Sequence, residues 1–207
     1  MLQIDDHPLL DLAVLRVELP GPLAELVTPP EIASLLRAEA RGPLHADDTV
    51  RKAVRDLLRL GGYKPTGRGK PASEYLAKAA EEGTLAPINA VVDVGNAASL
   101  HSGLPISVVD AGQVHGALRV ELGKPGERYV FNAAGHDIDV EGLLCLRDAD
   151  GPCANAVKDA QRTKTSAGTR HLLVLVWGTR AIPDRSVQTA HWLSELFTAL
   201  GATVERT

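Results

Sequence analysis

Asn89, Asp93 and Asn96 stand at i, i+4 and i+7 within Pro87-Ile88-Asn89-Ala90-Val91-Val92-Asp93-Val94-Gly95-Asn96-Ala97-Ala98-Ser99-Leu100. At 3.6 residues per turn, that spacing puts all three on one narrow stripe of a helix. Ile88, Val91, Val92 and Ala98 fall mostly on other faces. A short polar stripe on an otherwise apolar helix faces water or finds hydrogen-bond partners inside the protein. One reading of the stripe is a site for a polar ligand. The other is an N-cap at Asn89 with Asp93 and Asn96 bracing a neighbouring loop.

Two further stretches offer cations. Arg162-Thr163-Lys164-Thr165 sets a guanidinium and an ammonium beside hydroxyls, which suits an anionic group; a strand-entry loop with exposed charges would read the same. Between Arg51 and Lys70 there are seven Lys or Arg and one acid, Asp56. With Lys64, Arg68 and Lys70 in a Gly- and Pro-rich loop, this cluster could track an RNA backbone, or be a solvated helix face with an exposed loop. It is not a phosphate-binding P-loop, because the glycines and lysine are wrongly spaced. His136-Asp137-Ile138-Asp139 reads as a charged surface turn in preference to a metal site, since no second histidine stands at ligand spacing. There is no G-x-S-x-G, H-E-x-x-H or dinucleotide glycine fingerprint. No metal or cofactor is expected.

The bulk figures set limits on partners. At 207 residues with 44% hydrophobic and 23% charged residues, the chain has globular composition and can bury a sizeable core. Aromatics make up 3%, which excludes a binder built on rows of stacking rings. A net charge of −4 means that any anion site must be local. Cys145 and Cys153 have neither metal-knuckle nor redox-pair spacing and read as small buried residues. No membrane span or signal peptide is apparent, so a cytoplasmic protein is expected.

These groups need elements to hold them. The branched residues of 9–19 predict a strand. Thr28, Pro29 and Glu31 predict a capped helix start with Ile32, Leu35 and Leu36 inward. Asp47-Asp48 opens a second helix with Val50, Val54, Leu57 and Leu58 inward and Gly61 as its stop. Ser73 is expected to cap a third helix ending at Gly83. The stripe-bearing helix follows and stops at Gly103 and Pro105. Residues 105–109, 117–122, 129–132 and 143–146 look like short strands, 171–177 a buried strand, 186–200 a helix, and 202–205 a last strand. That order suggests α+β.

The run N-A-V-V-D-V-G-N-A-A-S-L-H-S-G-L-P-I-S-V-V-D over residues 89–110 resembles the B3/B4 domain of the phenylalanyl-tRNA synthetase β subunit, and still more the free-standing B3/4 proteins related to it. Their pattern is N-x-x-V-D-x-x-N, a spacer, G-x-P and then an Asp, and every position is present in order. The similarity runs weakly from Tyr63 and continues through Gly116-Ala117-Leu118-Arg119-Val120 to the Arg162-Thr163-Lys164 run and Thr169. In the synthetases this domain hydrolyses the ester of a tRNA mischarged with tyrosine. The resemblance implies that Asn96 contributes to a pocket and that Asp93 is structural. Ser107 stands where the synthetases have a histidine, and Gln161, within Lys158-Asp159-Ala160-Gln161, stands in an ungapped match at their glutamate. Both departures remove support for tyrosine-specific editing.

The expected fold is therefore α+β, a B3/B4-like domain over residues 1–207 of largely antiparallel strands with helices packed around them, residues 1–62 forming a helical N-terminal part. The expected function is binding of aminoacyl-tRNA or the tRNA 3′ end, with deacylation of mischarged tRNA as its catalytic form. The alternative is a non-catalytic binder of tRNA, a free amino acid or another small ligand. The expected ligand site gathers Asn89, Asp93, Asn96, Ser107, Gln161, Arg162, Thr163 and Lys164. Asn96, Asp93, Ser107 and Arg162 should converge on one cleft, with Lys64, Arg68 and Lys70 on an RNA backbone.

Overall fold

The computed structural model describes residues 2–206. Its centre is the pair formed by β2 (Leu10–Glu18) and β9 (His171–Thr179), antiparallel along their full length, with Leu10 opposite Thr179 and Glu18 opposite His171. β10 (Thr203–Arg206) and β3 (Ile106–Asp110) extend this sheet in the order β10-β2-β9-β3, all antiparallel. A second sheet has the order β1-β4-β7-β8, from Leu2–Ile4, Leu118–Leu122, Leu144–Asp148 and Gly151–Asn155. Here β1 runs parallel to β4, and the other pairings are antiparallel. A small hairpin joins β5 (Arg128–Val130) to β6 (Asp137–Asp139).

The nearly unbroken apolar run of β9 has a simple cause: both of its faces are buried. Leu172, Val174 and Val176 point into a core shared with α4 (Ala90–Ser102) and α5 (Arg185–Ala199). Leu173, Leu175 and Trp177 point into a second core shared with Val120, Leu144 and Leu146 of the other sheet. Alternation along a strand thus stacks helices, central sheet and second sheet in that order. The architecture is α+β with mostly antiparallel sheets, as expected.

Several local expectations need correction. Pro29, not Thr28, precedes α1 (Pro30–Ser34), and it makes no side-chain cap; the Thr28 hydroxyl donates instead to Asp93. α2 (Asp48–Arg59) is capped as expected, Asp47 accepting from Val50 N–H at 2.9 Å, but the left-handed residue after it is Gly62 (φ 92°), not Gly61. Ser73 lies inside α3 (Ala72–Glu81) and is buried; the Ala72 N–H is satisfied by the Ala156 carbonyl at 2.9 Å, so no side-chain cap is needed. The His136-Asp137-Ile138-Asp139 run is an edge strand preceded by a bend, since Ile138 is buried and Asp137 pairs with Arg128. β1 and β8 carried no usable alternation: β8 is Gly-Pro-Cys-Ala-Asn. The first 62 residues, expected as a helical part, also supply β2, a central strand of the main sheet.

Candidate functional site

α4 is positioned at both ends by specific chemistry. At its start, the Asn89 side chain accepts from Val92 N–H at 3.0 Å, a side-chain N-cap. At its end, Gly103 takes a left-handed conformation (φ 73°), and Ser99 Oγ donates to the Leu104 carbonyl at 2.7 Å. Arg185 then covers the terminal carbonyl of Ser102 with Nε at 3.0 Å. The chain turns through Pro105 into β3, which lies against the helix. Gly95 permits this approach: a Cβ built there would stand 2.7 Å from Val108 Cγ2.

A cleft of about 300 Å³ opens between α4 and β3. Val92, Gly95, Ile106 and Val108 form its apolar walls, and Asn89, Asn96, Asp159 and Lys164 supply its polar groups. Asn96 is half-buried and its amide makes no hydrogen bond to another described residue. Asp159 is also half-buried. Its Oδ1 accepts from Ser107 Oγ at 2.6 Å and from Asn155 N–H at 3.3 Å, and Trp177 Nε1 donates in turn to Ser107 Oγ at 2.9 Å. Burial pushes the Asp159 carboxyl up to about 6, against the opposing pull of the Ser107 hydroxyl, the backbone N–H groups and the Lys164 ammonium. The site thus places one proton-accepting group of near-neutral pKa beside an unsatisfied amide and a cation.

The expected residues divide sharply. Asn89, Asn96 and Lys164 line this cleft together. Asp93 does not; it is fully buried, with Oδ1 accepting from Ile88 N–H at 2.8 Å and Oδ2 from Thr28 Oγ1 at 2.5 Å. It ties the loop before α1 to the one before α4. Ser107 lies one layer behind the cleft, because alternation along β3 gives the cleft to Ile106 and Val108 and turns Ser107 inward. Arg162 is engaged elsewhere: it forms a two-pronged ion pair with Asp148 at 2.8 and 2.6 Å and donates to the Gly151 carbonyl at 3.1 Å. Thr163 is buried and donates to the Cys153 carbonyl at 3.1 Å. Gln161 is exposed and lines no part of this cleft. The expected convergence of Asn96, Asp93, Ser107 and Arg162 therefore reduces to Asn96.

Asp159 was the residue missed. The cleft's carboxylate lies two positions before Gln161, the lone acid in the stretch Cys153-Ala154-Asn155-Ala156-Val157-Lys158-Asp159-Ala160. Lys164, not Arg162, lines the cleft, and its Nζ donates to the Phe131 carbonyl at 2.6 Å.

The basic region is also partly neutralised. On α2, Arg51 pairs with Asp48, Arg55 with Glu74 and Arg59 with Asp56. Lys52, Lys64, Arg68 and Lys70 pair with no carboxylate among the described residues. His115, Asp148 and Asp150 gather ligand atoms within 4.8 Å of one another, but the Arg162 guanidinium already occupies Asp148. Cys145 and Cys153 are buried, and burial pushes both thiols up to about 12, which leaves them unreactive.

The chain matches known proteins in three ways. A family model described as the B3/4 domain matches residues 64–190. The phenylalanine–tRNA ligase beta subunits of Bartonella henselae and Bartonella quintana are each 31% identical over 102 residues. That alignment covers 47% of this chain and 13% of the length of these curated relatives. The crystal structure of an N-terminal fragment of the phenylalanyl-tRNA synthetase beta-subunit from Pyrococcus horikoshii superposes with a TM-score of 0.56 at 8% identity, covering 98% of this chain and 49% of that one. This last likeness is one of fold.

Proposed function

The chain belongs to the B3/4 domain family, and from that premise we propose that it binds the aminoacylated 3′ end of a tRNA and hydrolyses the ester of a mischarged one. One observation carries this reading: Asn96, Asp159 and Lys164 share a cleft with apolar walls, and Asn96 there has an unused amide. The cleft's volume of about 300 Å³ suits an amino-acid side chain with its ester group.

An aminoacyl ester is already activated, so positioning, one base and oxyanion donors suffice. In this reading Asp159 takes a proton from a water whose oxygen attacks the ester carbonyl carbon. The Asn96 amide and Lys164 donate to the developing oxyanion. Collapse of the tetrahedral intermediate breaks the bond to the ribose oxygen, which leaves with the proton held on Asp159. The products are a free amino acid and uncharged RNA. Val92, Ile106 and Val108 favour an apolar side chain. Setting for this chemistry is expected to be the cytoplasm, and no helix among the described residues is long and apolar enough to cross a membrane.

The test is a deacylation assay over a panel of charged tRNAs, run on the wild type, Asn96→Ala and Asp159→Asn. Turnover of one class of charged tRNA that drops at least tenfold in both variants is the expected result. Binding of charged tRNA without turnover would replace the hydrolase with a binding protein that uses the same cleft.

A further inference from the structure

Asn96 also lines a second cleft, and the other walls of that cleft suit a different chemical group. It measures about 400 Å³ and runs from Asn96 and Ile106 to Tyr75, Leu76, Arg68 and Lys158. Two cations are held at one side of it. The Lys158 ammonium lies 4.0 Å from the centre of the Phe131 ring. Burial and then the neighbouring Arg68 guanidinium lower its pKa. Among the described residues, neither side chain pairs with a carboxylate, whereas Arg51, Arg55 and Arg59 nearby all do. An anion placed between two such cations would gain from both and relieve their mutual repulsion.

The remaining walls of the cleft are mostly apolar. Tyr75 is 40% exposed. Its hydroxyl donates to the Gly67 carbonyl at 2.9 Å, which ties the ring to the 3-10 turn that carries Arg68. Leu76 and Val157 continue this surface. A single exposed ring beside paired cations is a platform for one base and its phosphate.

We propose that this second cleft is a nucleoside-phosphate subsite, with the phosphate between Arg68 and Lys158 and the base against Tyr75. The assignment rests on the reading of the first cleft as the acyl site. It sets the ribose of the last nucleotide at Asn96 and Ile106, the wall that both clefts share. The ester would then lie beside the Asn96 amide, which explains why that side chain faces both spaces.

The test titrates adenosine 5′-monophosphate and adenosine into the full chain by calorimetry. The monophosphate should bind at least tenfold more tightly than the nucleoside. Arg68→Ala and Lys158→Met should each weaken the monophosphate about tenfold and leave adenosine within about twofold. Lys158→Met keeps an aliphatic stem over Phe131, and thermal melts check that both variants stay folded. Equal affinity for the two ligands, or monophosphate binding indifferent to both substitutions, would overturn the subsite. Neither ligand carries an acyl group, so the outcome is separable from the hydrolase reading. Monophosphate binding without deacylation leaves the subsite standing and overturns the hydrolase. Deacylation that depends on Asn96, with monophosphate binding indifferent to both cations, overturns the subsite alone.

Discussion

Asp93 and Asn96 lie three residues apart on α4 and respond to truncation in opposite ways. Asp93 is fully buried and accepts two hydrogen bonds, so Asp93→Ala strands the Ile88 N–H and the Thr28 hydroxyl. The expected loss is about 2–4 kcal/mol of unfolding free energy in urea titrations. Asp93→Asn, which still accepts from Ile88, should recover most of it. Asn96→Ala removes no bond to another described residue. Its stability should stay within about 0.5 kcal/mol of wild type, while binding of a non-hydrolysable aminoacyl-adenosine analogue falls ten- to hundredfold. A large stability loss in Asn96→Ala would make that residue a brace instead of a ligand contact.

Asp159 gives the residue scale its pH dependence. Its carboxyl rises from 3.8 to about 6 on folding, chiefly through burial. A raised folded-state pKa means that the folded chain holds this proton when the unfolded chain has lost it. The associated stability is complete below pH 3.8 and is lost as pH rises through about 6, a swing of about 3 kcal/mol. Asp159→Asn keeps an acceptor for Ser107 and has no charge to bury. Denaturation profiles should therefore coincide with wild type at pH 4 and show the variant more stable at pH 8. Parallel profiles at every pH would mean that Asp159 ionises freely. If Asp159 is the base of the proposed hydrolysis, the same ionisation should make the wild-type rate rise with pH through about 6.

At the scale of elements, α4 depends on one close approach. Gly95→Ala gains helix propensity of about 1 kcal/mol, but its Cβ meets Val108 at 2.7 Å. The two effects nearly cancel in stability. The displaced Val108 narrows the cleft, so binding of the aminoacyl analogue should drop by more than stability does, and Val108→Ala in the same chain should restore it. Failure of that rescue would show that the glycine does not shape the cleft. α4 also marks what could be read in advance. Its cap, its length and the left-handed Gly103 follow from local chemistry, as do the buried runs of β2 and β9. The direction of each polar side chain does not. Helical spacing groups Asn89, Asp93 and Asn96, but about 60° of rotation between Asp93 and Asn96 sends one to Thr28 and the other to the cleft. Arg162 and Lys164 part because a 3-10 turn, Gln161–Thr163, carries the first, and the extended backbone that follows carries the second. Asp159 and β8 were hidden for another reason: the stretch Gly151-Pro152-Cys153-Ala154-Asn155 alternates neither in size nor in polarity, and its place is fixed only by pairing with β7.

Across the whole molecule, net charge works against RNA, and the arrangement of charge works for it. The chain carries −4 overall. Ion pairing takes Arg51, Arg55, Arg59 and Arg162 out of the positive surface, and leaves Lys64, Arg68 and Lys70 uncompensated on the connection between α2 and α3. Asn96, Arg68 and Lys158 border the same cleft, so an RNA strand leaving it could follow this connection outward. Each phosphate contact releases condensed counterions, so its loss flattens the dependence of affinity on salt by about 0.7–0.9 in log–log slope. Lys64→Glu combined with Lys70→Glu should therefore weaken tRNA binding and reduce the slope by about 1.4–1.8. Arg59→Glu, which replaces an exposed and already paired cation, should change the slope by much less. Filter binding of tRNA between about 50 and 200 mM salt reads both. An unchanged slope in the double variant, or an equal change in Arg59→Glu, would place the RNA path on another face.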